Sequence, residues 1–263
     1  MKIKEVIDAL ERFAPLPLQE DYDNAGLQVG LTEAWEVSGA LLCLDVTEEV
    51  VDEAIAKGCN LIVSHHPLIF QKLRRVSDET MAQRVVFKAI EKKIAIVSMH
   101  TNLDNARGGV NFKIAEKMGL KGVTFLGEEK TAEGVRGGSG IIGSLEQPMD
   151  AAAFIGMLKQ TFDVECVQAN ELLKRPINKV AVCGGAGSFL LGNAVAAGAD
   201  AFVTGEMHYH DYFDAEQKIQ IAVIGHYQSE QFTKEVFREI IERECLGVRC
   251  CMSEINTNPI KYI

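Results

Sequence analysis

GALLCLDVTEEVVDEAIAKGCNLIVSHHPLIF, residues 39–70, joins an apolar run, an amphipathic segment and a second apolar run that ends on two adjacent histidines. Unbroken Val/Ile/Leu runs of this length suit strands buried on both faces, and a segment with helical spacing between two of them is the unit of a parallel sheet. The pattern recurs along the chain. Further apolar runs are IAIVS (94–98), KVAVC (179–183), AFVTG (201–205) and IAVIG (221–225), and helical patterns are TMAQRVVFKAIEKK (80–93), LLGNAVAAGA (190–199) and EQFTKEVFREIIERE (230–244). The last places Phe232, Val236, Phe237, Ile240 and Ile241 on one stripe. Alternating strand and helix signals predict an α/β fold with mainly parallel sheets flanked by helices. The stretch from about 120 to 178 is richer in Gly and polar residues, so a lobe boundary is expected near 120–128.

The chain has 263 residues, 47% of them hydrophobic, enough for one large core or two smaller ones. A net charge of −10 disfavours general nucleic-acid binding, because an acidic surface repels phosphate backbones. The N-terminal MKIKEVIDALERFAPL lacks the uninterrupted apolar stretch of a signal peptide, and no run approaches the ~20 apolar residues of a membrane span. A cytoplasmic protein is expected. The seven cysteines have no CxxC spacing and read as small buried hydrophobes.

All six histidines lie just beyond apolar runs. His65 and His66 follow NLIVS, His100 follows IAIVS, His208 and His210 follow AFVTG, and His226 follows IAVIG. The carboxyl ends of parallel strands open on one edge, so side chains distant in sequence can converge there. Asp104 in HTNLD and Glu230 in GHYQSE add carboxylates. Mixed imidazole and carboxylate donors suit zinc, iron, manganese or cobalt, and the inventory is large enough for two ions.

Each motif also has a plainer reading. His65 and His66 could be a hydrogen-bonded buried pair. HTNLD could be a turn in which Asn102 and Asp104 cap backbone groups. In GHYQSE, Ser229 could cap the following helix while Glu230 favours its positive end. His100 could bind metal, orient Asp104 or support a ligand from behind. His208 and His210 could be acids, bases or substrate binders, or surface side chains. KVAVCGGAGSFLL (179–191) has a Gly184–Gly187 turn that is either a tight turn or an anion contact.

DYDNAGLQVG (21–30), SHHPLIF (64–70), HTNLDNA (100–106), GEMHYHD (205–211) and GHYQSE (225–230) together resemble the Nif-three-like family, whose members are called GTP cyclohydrolase 1 type 2 homologues or dinuclear metal centre hexameric proteins. The resemblance implies a two-lobed protein, residues 1–125 plus 228–263 forming one lobe and 126–227 the other, with a dinuclear metal site in the cleft and a toroidal homohexamer, a trimer of dimers. It places the metal ligands on His65, His66, Asp104, His226 and Glu230. Longer relatives carry a regulatory-type domain between the lobes, for which this chain is too short. The function implied is a metal-dependent hydrolase of a nucleotide or related small molecule, with Glu230 bridging the ions or relaying a proton and His100, His208 or His210 protonating the leaving group. The alternative is a non-catalytic metal chaperone, insertase or sensor on the same ligands. A ring encircling nucleic acid is opposed by the charge.

Overall fold

A computed structural model describes residues 1–213 and 215–261. The chain divides into two compact units, Met1–Leu103 with Thr233–Ile263, and Asp104–Phe232. The expected lobe boundary at 125/126 lies inside the second unit, because the strand Lys121–Phe125 pairs with Ile141–Met149 of that unit's sheet. The expected return at 227/228 lies there too, within the helix His226–Glu230.

The first unit is built on five strands in the order Gly26–Val29, Ala95–Ser98, Leu61–Ser64, Ala40–Cys43, Cys250–Met252. All neighbours are parallel except the edge strand Gly26–Val29. Every residue of the three central strands is buried, which is why their sequences are apolar without alternation. The helix Glu48–Ala56 starts at Thr47, whose hydroxyl accepts from the Val50 N–H at 3.3 Å. Thr80 does the same for Met81–Glu91 through the Gln83 N–H. Such a cap is worth about 1 kcal/mol. Register then sets the functional edge. Cys43 lies level with Ser64 and Ser64 with Ser98, so the loops that follow leave the sheet side by side.

The apolar stripe expected over 230–244 is divided in the structure. The helix is Thr233–Glu244, with Val236, Phe237, Ile240 and Ile241 buried. Phe232 precedes it and packs in the second unit, its ring centroid 5.9 Å from that of Phe162.

The second unit holds six strands in the order Lys121–Phe125, Ile141–Met149, Ile177–Cys183, Ala201–Thr204, Gln220–Val223, Gln168–Ala169, with a separate hairpin of Glu129–Ala132 and Val135–Gly138. Only the strands Ile177–Cys183, Ala201–Thr204 and Gln220–Val223 run parallel, and the flanking pairings are antiparallel. The fold is thus mixed α/β, one sheet mainly parallel and one with a parallel centre. The helix Ala151–Phe162 begins at Asp150, whose carboxylate accepts from the Ala153 N–H, and buries Phe154, Leu158 and Phe162. Cys183, Thr204 and Val223 lie level across the parallel centre, bringing the segments that follow them to one edge.

All seven cysteines are free thiols, four of them buried. Among the described residues no helix is long and apolar enough to cross a membrane.

Candidate metal centre

In the first unit, His65 and His66 continue directly from the strand Leu61–Ser64. Their N–H groups donate to carbonyls at the end of the neighbouring strand, His65 to Cys43 and Leu44 (3.2 and 3.1 Å) and His66 to Leu44 (2.9 Å). His100 arrives from the adjacent strand, level with them because Ser64 and Ser98 are in register and their hydroxyls hydrogen-bond at 2.8 Å. The ring centroids lie 4.9 Å (His65–His66), 5.3 Å (His65–His100) and 5.5 Å (His66–His100) apart. One ring nitrogen from each falls within 4.8 Å of the others, a grouping that could hold a metal ion.

Each of these rings is fixed through Nδ1. His65 Nδ1 is 2.9 Å from the Met99 carbonyl, His66 Nδ1 is 2.8 Å from Asp45 Oδ1, and His100 Nδ1 is 2.7 Å from Asp23 Oδ1. Burial alone would raise the Asp23 carboxyl, but the bonds from His100 and Thr101 outweigh it and hold it at about 2. The Asp45 carboxyl is also lowered: burial opposes, and the bonds from His66 and Thr257 prevail. A carbonyl and two ionised carboxylates can only accept. Each Nδ1 therefore carries the proton, and in the neutral ring Nε2 carries the lone pair that a metal requires. Such carboxylate– or carbonyl–histidine supports are the usual setting of a metal-binding imidazole. The donor chemistry fits a divalent ion.

HTNLD folds not as a turn but into the short helix Thr101–Asn105. Asn102 is buried, accepts from the His100 N–H at 2.9 Å and donates to the Ala14 carbonyl at 2.7 Å, which holds the start of that helix. His100 itself is oriented by Asp23.

The second unit carries Asp104, His226 and Glu230. His226 opens the short helix His226–Glu230, its Nδ1 2.7 Å from Glu206 Oε1 and its Nε2 3.2 Å from Glu230 Oε2. Glu230 is 3% exposed. Carboxylate oxygens of Asp104 and Glu230 come within 4.8 Å of each other. Asp104 and Glu230 each offer a carboxylate oxygen that could take part in holding a metal ion.

Gly185 makes that geometry feasible. Its φ is +59°, and a Cβ there would lie 2.3 Å from Glu230 Oε1 and 3.5 Å from His226 Nε2. The anion-contact role considered for Gly184–Gly187 is not what the turn does. Its Gly184, Gly185 and Gly187 N–H groups donate to Asn111 Oδ1, Ser229 Oγ and Thr204 Oγ1 at 2.9, 2.9 and 3.1 Å. Ser229 therefore supports this turn, and donates to the His226 carbonyl at 2.7 Å, instead of capping the next helix.

His208 and His210 are exposed, at the 3-10 turn Tyr209–Tyr212. Asp211 Oδ2 accepts from the His208 N–H at 3.1 Å, and the His210 ring stacks on Phe213 at 6.0 Å.

Asp23, Asp45 and Glu206 were not singled out from the sequence. Asp23 and Glu206 do sit inside the quoted motifs DYDNAGLQVG and GEMHYHD, and Asp45 is the penultimate residue of GALLCLDV. A carboxylate at a strand end beside a histidine-bearing edge is the signal that could have found them.

A profile of the Duf34/NIF3 family (NGG1p interacting factor 3) matches residues 1–259. A protein of Clostridium perfringens named GTP cyclohydrolase 1 type 2 homolog is 33% identical, covering 100% of both chains. A hypothetical protein of Staphylococcus aureus has a crystal structure with TM-score 0.91 at 29% identity, covering 100% of this chain and 99% of that one. A Bacillus cereus protein related to NIF3 gives TM-score 0.89 at 27% identity, covering 100% and 99%. The chain belongs to the Duf34/NIF3 family.

Proposed function

We propose that this protein holds a pair of divalent ions on His65, His66, Asp104, His226 and Glu230 and hydrolyses a nucleotide or related small molecule. The observation that carries this reading is the common fixing of His65, His66, His100 and His226 through Nδ1. Imidazoles held through one ring nitrogen in this way are the usual setting of metal-binding histidines. The donor set suits zinc, iron, manganese or cobalt. The name of the clostridial relative supports a nucleotide as the substrate class.

A divalent ion bound here supplies Lewis acidity and lowers the pKa of water. The chain's own groups do the rest. Asp23, Asp45, Glu206 and the Met99 carbonyl hold each imidazole in one tautomer. Glu230, buried and in contact with His226, is placed to take up a proton. His100, His208 and His210 are the candidates to return one to the leaving group. The proposed working form is a cytoplasmic homohexamer, a trimer of dimers.

The test is turnover of a nucleotide panel by protein loaded separately with zinc, iron, manganese or cobalt, products being followed by chromatography. The proposal expects hydrolysis that needs the ion and disappears in Glu230→Ala; inactivity with all four ions argues against it. The exposure of His208 and His210 favours a second reading, a metal chaperone, insertase or sensor without catalysis. Metal transfer to an apo acceptor that survives loss of both side chains would support that reading.

A further inference from the structure

Away from the histidines, the first unit brings two thiols and a guanidinium together. Cys59 is buried in the turn before the strand Leu61–Ser64, and Cys251 is half-buried in the edge strand Cys250–Met252. Cys59 belongs to the buried cluster against which Cys251 packs, and its Sγ donates to the Lys57 carbonyl at 3.9 Å. Arg249 Nη1 donates to Cys251 Sγ at 2.9 Å, while its Nη2 donates to the Lys57 and Gly58 carbonyls at 2.7 and 3.2 Å. The guanidinium is thus fixed on two backbone carbonyls with an edge turned to sulfur. Gly39 leaves room for this: a Cβ there would lie 2.8 Å from Arg249 Nη2 and 3.1 Å from Cys59 Sγ.

The two sulfurs are not equivalent. Burial first, and the neighbouring Cys251 next, push the Cys59 thiol up to about 11, with Arg249 pulling the other way. Cys251 is the more exposed and accepts directly from the fixed Arg249 guanidinium, which places it as the sulfur an external disulfide meets first.

We propose that Cys59 and Cys251 form a redox-active dithiol that closes to a disulfide by exchange with a small-molecule disulfide. Cys251, as the thiolate, attacks one sulfur of the external disulfide. That S–S bond breaks, one half leaves as a thiolate that takes up the proton released by Cys251, and a mixed disulfide remains on Cys251. Cys59 then gives up its proton and attacks Cys251 Sγ, expelling the second half as a thiol. Two electrons pass from the dithiol to the external disulfide, which ends as two thiols. The product ties the edge strand Cys250–Met252 to the turn before Leu61–Ser64. The proposal is independent of the metal centre.

The test uses the full chain with glutathione disulfide as the oxidant, followed by alkylation and non-reducing peptide mapping by mass spectrometry. The expected result is a Cys59–Cys251 linked peptide and two fewer alkylatable thiols, restored by reductant. Cys59→Ser should arrest the reaction at glutathione on Cys251, and Cys250→Ser should leave the linked peptide unchanged. An unchanged thiol count in the wild type, a mixed disulfide that never resolves, or a link running through Cys250 would overturn the proposal.

Discussion

His100 and His226 are held alike, each by a carboxylate 2.7 Å from Nδ1, yet the two supports differ in surroundings. The Asp23 side chain is 0% exposed, and Thr101 donates to it from both backbone and hydroxyl. Glu206 is 55% exposed. An enclosed, multiply bonded carboxylate is little screened and has lost its freedom on folding, whereas an exposed one competes with water and salt. The first unit therefore presents a His100 ring that is rigid in advance. The second unit relies on backbone shape, since Gly185 is what allows Glu230 and His226 their close approach. Two routes to an ordered donor set coexist in one chain.

That contrast can be broken by substitution, with metal affinity read by isothermal titration calorimetry on each variant. Asp23→Ala removes the enclosed support and should weaken binding by ~100-fold, the upper end for a supporting partner. An effect no larger than that of Glu206→Ala would erase the distinction drawn above. Gly185→Ala puts a methyl group onto Glu230 and should cost somewhere within ~10–100-fold, as for a displaced ligand support. It should also lower stability by about 1–2 kcal/mol from the left-handed backbone, measured by urea denaturation. Unchanged affinity would show that Glu230 can move aside freely. Glu206→Ala should cost ~10-fold, the lower end, and its loss should shrink as salt is raised. Replacing His208 and His210 by Ala should change affinity by no more than ~2-fold, the scale of an ordinary surface substitution. A large loss there would place those rings on the ions.

The sequence made the central strands legible because burial on both faces leaves unbroken apolar runs, as in Leu61–Ser64 and Ala201–Thr204. Antiparallel and edge strands were harder to see. Ile141–Met149 is buried at Ile141, Ile142 and Leu145 but exposed towards its end, so its pattern is mixed. Cys250–Met252 spans three residues and has no pattern. The candidate ligands stood out because histidines followed apolar runs. Their supports did not, because Asp23 is 77 positions from His100 and Asp45 is 21 from His66. Spacing along the chain carries no record of such a pairing; only the registered strand ends create it. Gly185 was read as part of a turn, and its importance comes from a side chain 45 residues away, which no local pattern contains.

On the proposed reading, the five residues His65, His66, Asp104, His226 and Glu230 hold two divalent ions. Its most direct test is metal stoichiometry of the full chain after equilibrium dialysis against each candidate ion, read by inductively coupled plasma mass spectrometry. The account predicts two ions per chain, with fewer in Glu230→Ala. Wild-type protein that retains less than one ion per chain with every metal, or a Glu230→Ala variant that retains both, would contradict it.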